Sequence, residues 1–196
     1  MQLPNGRVLI LGGTSAPARA LLLDPRTGAT TALAARLAVG RSGHSATLLP
    51  SGAVLVLGGK DPAGEVVPAA EFFDPGTGTF SPAGDLGLLA RAGHVALVLS
   101  DGQLLVVGGV GSKGELLSEA ELVNLASGQV SLAERGPLLQ RAGAVAQLLP
   151  DGTVLLSGGA VYVWGQVLPF AQCQSTISLS FQRASKGKPE GQVFTF

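Results

Sequence analysis

His44 and His94 stand fifty residues apart in matching contexts, Arg41-Ser42-Gly43-His44 and Arg91-Ala92-Gly93-His94, and a neutral imidazole is the commonest protein metal ligand. A third copy of the context, Arg141-Ala142-Gly143-Ala144, carries alanine, and the chain has no other histidine. Equivalent slots of a repeat with no third ligand fit a structural role, each ring hydrogen-bonding backbone beside a hairpin; ligand contact is the alternative. Glu71 and Glu121 also lie one repeat apart, and Glu115 with Glu119 falls on a loop, so solvated edges or turn contacts account for these carboxylates. The strongest functional candidates are Arg41, Arg91 and Arg141, because guanidinium forks suit a ligand's carboxylate or phosphate. Their alternative role is to tie adjacent sheets by bonding carbonyls or acidic side chains.

These residues sit in a unit written four times. Gly12-Gly13, Gly58-Gly59, Gly108-Gly109 and Gly158-Gly159 each close an apolar run, at spacings of 46, 50 and 50 residues. Each arginine opens 17 residues before its Gly-Gly. Between them lies a tight-turn sequence, Pro50-Ser51-Gly52, Ser100-Asp101-Gly102 or Pro150-Asp151-Gly152, with Pro4-Asn5-Gly6 first in the chain. Asn, Asp or Ser before Gly supplies local side-chain hydrogen bonds and positive φ, so strands one and two pair as a hairpin. A second hairpin follows from Asp24-Pro25-Arg26-Thr27-Gly28, Asp74-Pro75-Gly76-Thr77-Gly78 and Asn124-Leu125-Ala126-Ser127-Gly128. Gly-Gly follows strands and has no Lys-Ser or Lys-Thr after it, which removes a phosphate-binding reading.

Strand two is apolar throughout: Val8 to Leu11, Val54 to Leu57, Leu104 to Val107, Val154 to Leu156. Such a strand needs cover on both faces, which sheets stacked on one another provide. With 29 glycines in 196 residues, helices are disfavoured and the chain reads as all-β. The pattern Arg-x-Gly-His-Ser, hairpin, apolar strand ending Gly-Gly, then Asp-Pro-x-Thr-Gly, clearest from Arg41 to Phe80, resembles kelch-repeat β-propellers of the bacterial type similar to the central domain of galactose oxidase. The resemblance covers about residues 2 to 159. It departs at Leu23 and Val123, where an aromatic such as Phe73 is common, and at Thr30, Phe80 and Val130, where tryptophan is expected.

The resemblance implies blades of four antiparallel strands, with units at about 1–40, 41–90, 91–140 and a degenerate 141–190. His44, His94, Gly58, Gly59, Gly108, Gly109 and Asp74 become structural repeat positions. It also implies that Arg41, Arg91 and Arg141 ring one mouth of a central channel, where such arginines can line a binding surface. Galactose oxidase itself uses a copper centre with two tyrosines; this chain has Tyr162 alone, and Cys173 falls in the slot of Phe73 and Val123, so no catalytic residue or cofactor is expected. Counting by the repeat puts 191–196 in phase with strand one, available to close the first blade into a four-blade ring. An open array, or assembly with further blades or copies, is the favoured alternative, because end blades would expose apolar faces and edges.

The loops after Gly-Gly, at 14–18, 60–68, 110–118 and 160–168, vary most and form the other candidate surface, with Tyr162 and Trp164 suited to a sugar or peptide. Hydrophobic residues make up 46%, charged ones 13%, and basic and acidic residues balance. The scattered basic residues leave no nucleic-acid footprint. There is no long apolar span and no export signal, although relatives of this kind are often exported, so the compartment is open. The lone Cys173 excludes an internal disulfide. The expected function is non-catalytic recognition of a protein or glycan, with a portion of a sugar-processing kelch enzyme or a structural spacer as alternatives.

Overall fold

The computed structural model describes residues 1–135, 140–163, 166–168, 176–182 and 190–195. Those residues form an all-β protein in which every strand pairing is antiparallel. Among them no helix is long and apolar enough to cross a membrane. The chain divides into two compact units, Met1–Leu86 and Gly87–Phe196.

In the first unit, β1 (Val8–Leu11), β2 (Ala20–Leu23) and β3 (Thr30–Ala32) form one sheet in sequence order. A second meander follows with β4 (Ser45–Leu48), β5 (Val54–Leu57), β6 (Ala70–Asp74) and β7 (Thr79–Gly84). The second unit repeats that meander with β8 (Val95–Val98), β9 (Leu104–Val107), β10 (Glu119–Val123) and β11 (Val130–Arg135). Its other sheet runs β12 (Arg141–Leu148), β13 (Thr153–Val163), β15 (Thr176–Gln182), β16 (Glu190–Thr195), with β14 (Gln166–Leu168) folded back onto the long end of β13.

The turns form where the sequence places them. Gly6, Gly52, Gly102 and Gly152 donate back to Leu3, Leu49, Leu99 and Leu149, and Asp101 and Asp151 accept the amides of Gln103 and Thr153. At the second hairpin, Gly28, Gly78 and Gly128 donate to Asp24, Asp74 and Asn124. The Asp74 carboxylate takes the Gly76 amide at 2.7 Å, and that bond, with the Thr77 hydroxyl, holds Asp74 below the usual carboxylate range. Asp74 is thus a turn residue, as the repeat implied.

Sheets stack face to face within each unit. In the first, Leu9 and Ala20 of one sheet pack with Val54 and Phe73 of the other, and Phe80 meets Phe73 at a centroid distance of 5.0 Å. In the second, Leu105, Val107, Ala120 and Leu122 pack with Val154 and Leu156. All four residues of β5 and all four of β9 are buried, which is why both strands are apolar without alternation.

The fourth sheet corrects one expectation. Residues 191–195 do not supply a strand to the first sheet; they pair with β15 as the outer strand of the fourth. Phe73 and Val123 pair with Val54 and Leu104, and the equivalent Val154 pairs with Leu179. Counting by fifty therefore misplaced the last strand. Cys173 lies outside the described residues.

Phe73 is fully enclosed and half-buried Phe72 points to the opposite face. Phe73→Ala is expected to cost about 3–5 kcal/mol and Phe72→Ala clearly less, read from denaturant unfolding of each variant.

Candidate functional site

Each arginine sits where the strand after its hairpin ends, and each sends Nη1 to the first glycine of its own Gly-Gly. The distances are 3.2 Å for Arg41 to Gly58, 2.8 Å for Arg91 to Gly108 and 3.0 Å for Arg141 to Gly158. The constant spacing of 17 residues in the sequence is this bond.

Arg41 is saturated further. Its Nε donates to the Val39 carbonyl at 3.2 Å, Nη1 also to Ala69 at 2.7 Å, and Nη2 to Glu71 Oε1 at 2.6 Å. The other Glu71 oxygen accepts the Ala38 amide at 2.9 Å, pinning the chain that enters the second sheet. Arg91 repeats the arrangement with the Leu89 carbonyl and an ion pair to Glu121 Oε2. Arg41, Arg91 and Arg141 are exposed by only 0%, 1% and 3%, so their guanidinium groups do not form an accessible rim for ligand. Burial lowers the basicity of Arg41 and Arg91, and their glutamates oppose that shift. Desolvation pushes the Glu121 carboxyl upward against the pull of Arg91.

The arginines therefore act as ties, and the side-chain bonds run within their own sheet. The link to the preceding sheet is made by backbone: Gly13 donates to the Arg41 carbonyl at 2.9 Å and Gly109 to that of Arg141 at 2.6 Å. A Cβ on Gly59 would lie 2.8 Å from the Ser42 carbonyl, and on Gly109 2.8 Å from that of Ala92, at φ of +95° and +94°. Close backbone approach in a left-handed conformation requires glycine at both.

Glu71 and Glu121 are the residues whose role the sequence reading missed. They are buried ion-pair partners, exposed by 5% and 7%, rather than solvated edges. The signal was present, since each follows its arginine by thirty residues. In the fourth sheet the slot belongs to Ile177, opposite Leu156, and in the first to Leu21, opposite Ile10.

His44 also departs from expectation. Its Nδ1 is buried without a hydrogen-bond partner, and the ring edge lies against Gly12, where an added Cβ would come within 2.6 Å of Cε1. Burial, with the Arg41 charge adding to it, holds this imidazole below its ordinary value of 6.5. His94 is buried in the equivalent slot. No cluster of three or more His, Cys, Asp or Glu that could hold a metal occurs among the described residues.

The loops after the second and third Gly-Gly are ordered turns. Lys60 bridges Val66, with Gly64 donating to Asp61; Val110 bridges Leu116, with Gly114 donating to Gly111. Their tips, 62–65 and 112–115, are exposed and differ in sequence. Tyr162 lies on the extension of β13 opposite Val167, and Trp164 falls outside the described residues.

Removing one partner of a buried ion pair leaves an uncompensated charge, so Glu71→Ala or Arg41→Met is expected to cost about 3–5 kcal/mol. The double variant should lose less than the sum, in a double-mutant cycle of urea unfolding. The unfolded chain protonates His44 near pH 6.5 whereas the folded one resists, so the His44 contribution destabilises the fold as pH falls below 6.5. The drop in urea midpoint between about pH 7.5 and about pH 5.5 is expected to be smaller in His44→Gln than in the wild type.

No protein-family model and no curated protein matches the chain, so its geometry is the basis on which its function is read.

Proposed function

We propose that the chain is a non-catalytic kelch-type β-propeller module for recognition of a protein or glycan. What supports the propeller is a four-stranded meander repeated with the same turns, the same arginine bonds and the same face-to-face stacking in each unit. The observation that carries recognition is the pair of equivalent loops. Their backbone frames carry the same hydrogen bonds, while the exposed tips read Pro62-Ala63-Gly64-Glu65 in one and Ser112-Lys113-Gly114-Glu115 in the other. A rigid frame with variable tips is how scaffolds present binding residues.

The repeated charged side chains, by contrast, are spent on the fold. Arg41 and Arg91 are buried and turned onto their own carbonyls and glutamates, which keeps them from a ligand at the surface. Recognition then falls to loop tips, where a lysine, a glutamate and small polar residues suit the hydroxyls of a sugar or the backbone of a peptide.

Glycan and peptide arrays probed with the wild-type protein should retain at least one class of ligand. Glu65→Ser combined with Lys113→Ser is expected to weaken that binding by about tenfold, the equivalent of 1.4 kcal/mol, with the melting temperature unchanged. Retention of nothing on either array, or binding indifferent to the tip exchanges, would reject the reading.

A further inference from the structure

Within the first unit, the seam between the first and second sheets is made by backbone. Gly13 donates to the Arg41 carbonyl at 2.9 Å, the Arg41 amide to Pro17 at 2.8 Å and Leu37 to Ala18 at 3.1 Å. Residues 12–18, which leave β1, therefore lie along residues 37–41, which lead into β4. A Cβ on Gly40 would come within 3.0 Å of the Pro17 side chain, so the two segments touch with no room between them.

His44 stands at this seam. Its Cε1 and Nδ1 edge rests against Gly12, where an added Cβ would lie 2.6 Å from the first atom and 3.2 Å from the second. The same Cβ would lie 2.5 Å from the Arg41 carbonyl, but that oxygen already takes the Gly13 amide. Nδ1 is buried with no hydrogen-bond partner among the described residues. In a neutral imidazole such a nitrogen can stay a bare acceptor, whereas in the cation both ring nitrogens are donors. A buried, charged donor with nothing to receive it is among the costliest groups a fold can hold.

The surroundings give that cation no relief. Residues 12–18, 37–40, 45–48 and Gly58-Gly59 carry no charge, and the flanking Arg19, Arg36 and Lys60 are themselves cations. Arg41 opposes protonation of the ring by its own charge. Its partner Glu71 is committed, with one oxygen on the Arg41 guanidinium and the other on the Ala38 amide. Nor does the backbone of such a seam require a ring. In the second unit Ala144 holds the histidine slot, and Gly109 still makes the equivalent bond to the Arg141 carbonyl at 2.6 Å.

We propose that His44 makes the seam of the first unit an acid-sensitive latch: a proton taken from solvent onto its buried Nδ1 parts residues 12–18 from residues 37–41 while the second sheet stays folded. The parted seam lets water reach the ring, so the open form binds the proton near pH 6.5 and the closed form resists it. Opening therefore gains as pH falls below that value. A junction that alanine serves equally well is given a pH response by this one side chain.

Residue-resolved amide hydrogen exchange of the full chain at about pH 7.5 and about pH 5.5, corrected for the intrinsic pH dependence of exchange, tests this. Protection at Gly13, Leu37 and Arg41 is expected to fall about three- to tenfold on acidification, while the amides of β5 keep theirs. His44→Gln should abolish the fall at the three seam amides. His44→Ala, which reproduces the residue of the fourth sheet, should do the same and serves if glutamine disturbs the packing. His94, the other histidine of the chain, remains in both variants, so its titration cannot produce the difference. Seam protection unchanged between the two pH values, a fall that persists in both variants, or an equal fall across β5 would each overturn the proposal.

Discussion

The bond from an arginine to the first glycine of its own Gly-Gly is the constraint on which the repeat is built. A buried carbonyl left unpaired costs about 1–3 kcal/mol. Arg41 meets this demand at Gly58 and at Ala69 together, and donates as well to Val39 and Glu71. Lysine could not replace it, since a single ammonium on a flexible stem cannot reach acceptors spread around a plane as a five-donor fork does. The same bond explains the paired glycines: the first turns its carbonyl to the guanidinium, and the second comes so close to the strand beside it that no side chain fits.

Ion pairing is an addition to that bond and is used unevenly. Glu71 and Glu121 lie on faces whose strand partners, Val56 and Val106, are wholly buried, so each carboxylate is held by its arginine and by backbone. Replacing such a pair by well-packed apolar residues is often neutral or favourable in energy. In the first and fourth sheets the register position of the glutamate is held by Leu21 and Ile177. The arginine–glycine bond recurs in the fourth sheet, which marks it as the element common to all three arginines.

Local chemistry was legible in the sequence and long-range accounting was not. Asn5, Asp101 and Asp151 before glycine, and Asp74 before Pro75, declared their hairpins because a turn is decided within four residues. The uninterrupted apolar runs of β5 and β9 declared burial on two faces. The arginines were found with two roles open, ligand contact and a tie to carbonyls or acidic side chains, because spacing alone cannot say whether a guanidinium meets solvent or carbonyls. Glu71 was compared with Glu121 rather than with Arg41, so the shared offset of thirty residues went unused. In the fourth unit, counting by fifty misplaced residues 191–195, which pair with β15. His44 was expected to find a backbone partner, and only packing against Gly12 decides that its Nδ1 does not.

Stability and the recognition proposed for the loop tips fall in different parts of the repeat. Arginine, Gly-Gly, turn aspartate and strand two are fixed by bonds that any exchange would break, and they recur. The loop frame after Gly-Gly is fixed in the same way, through the Lys60–Val66 and Val110–Leu116 bridges and the glycines at 64 and 114. Between those anchors the tip residues touch solvent, so exchange of Pro62 and Ala63 for Ser112 and Lys113 leaves every frame bond in place. A chain with this division can change residues 62–63 or 112–113 without changing the backbone bonds that hold the loop, because those bonds run through the anchors on either side.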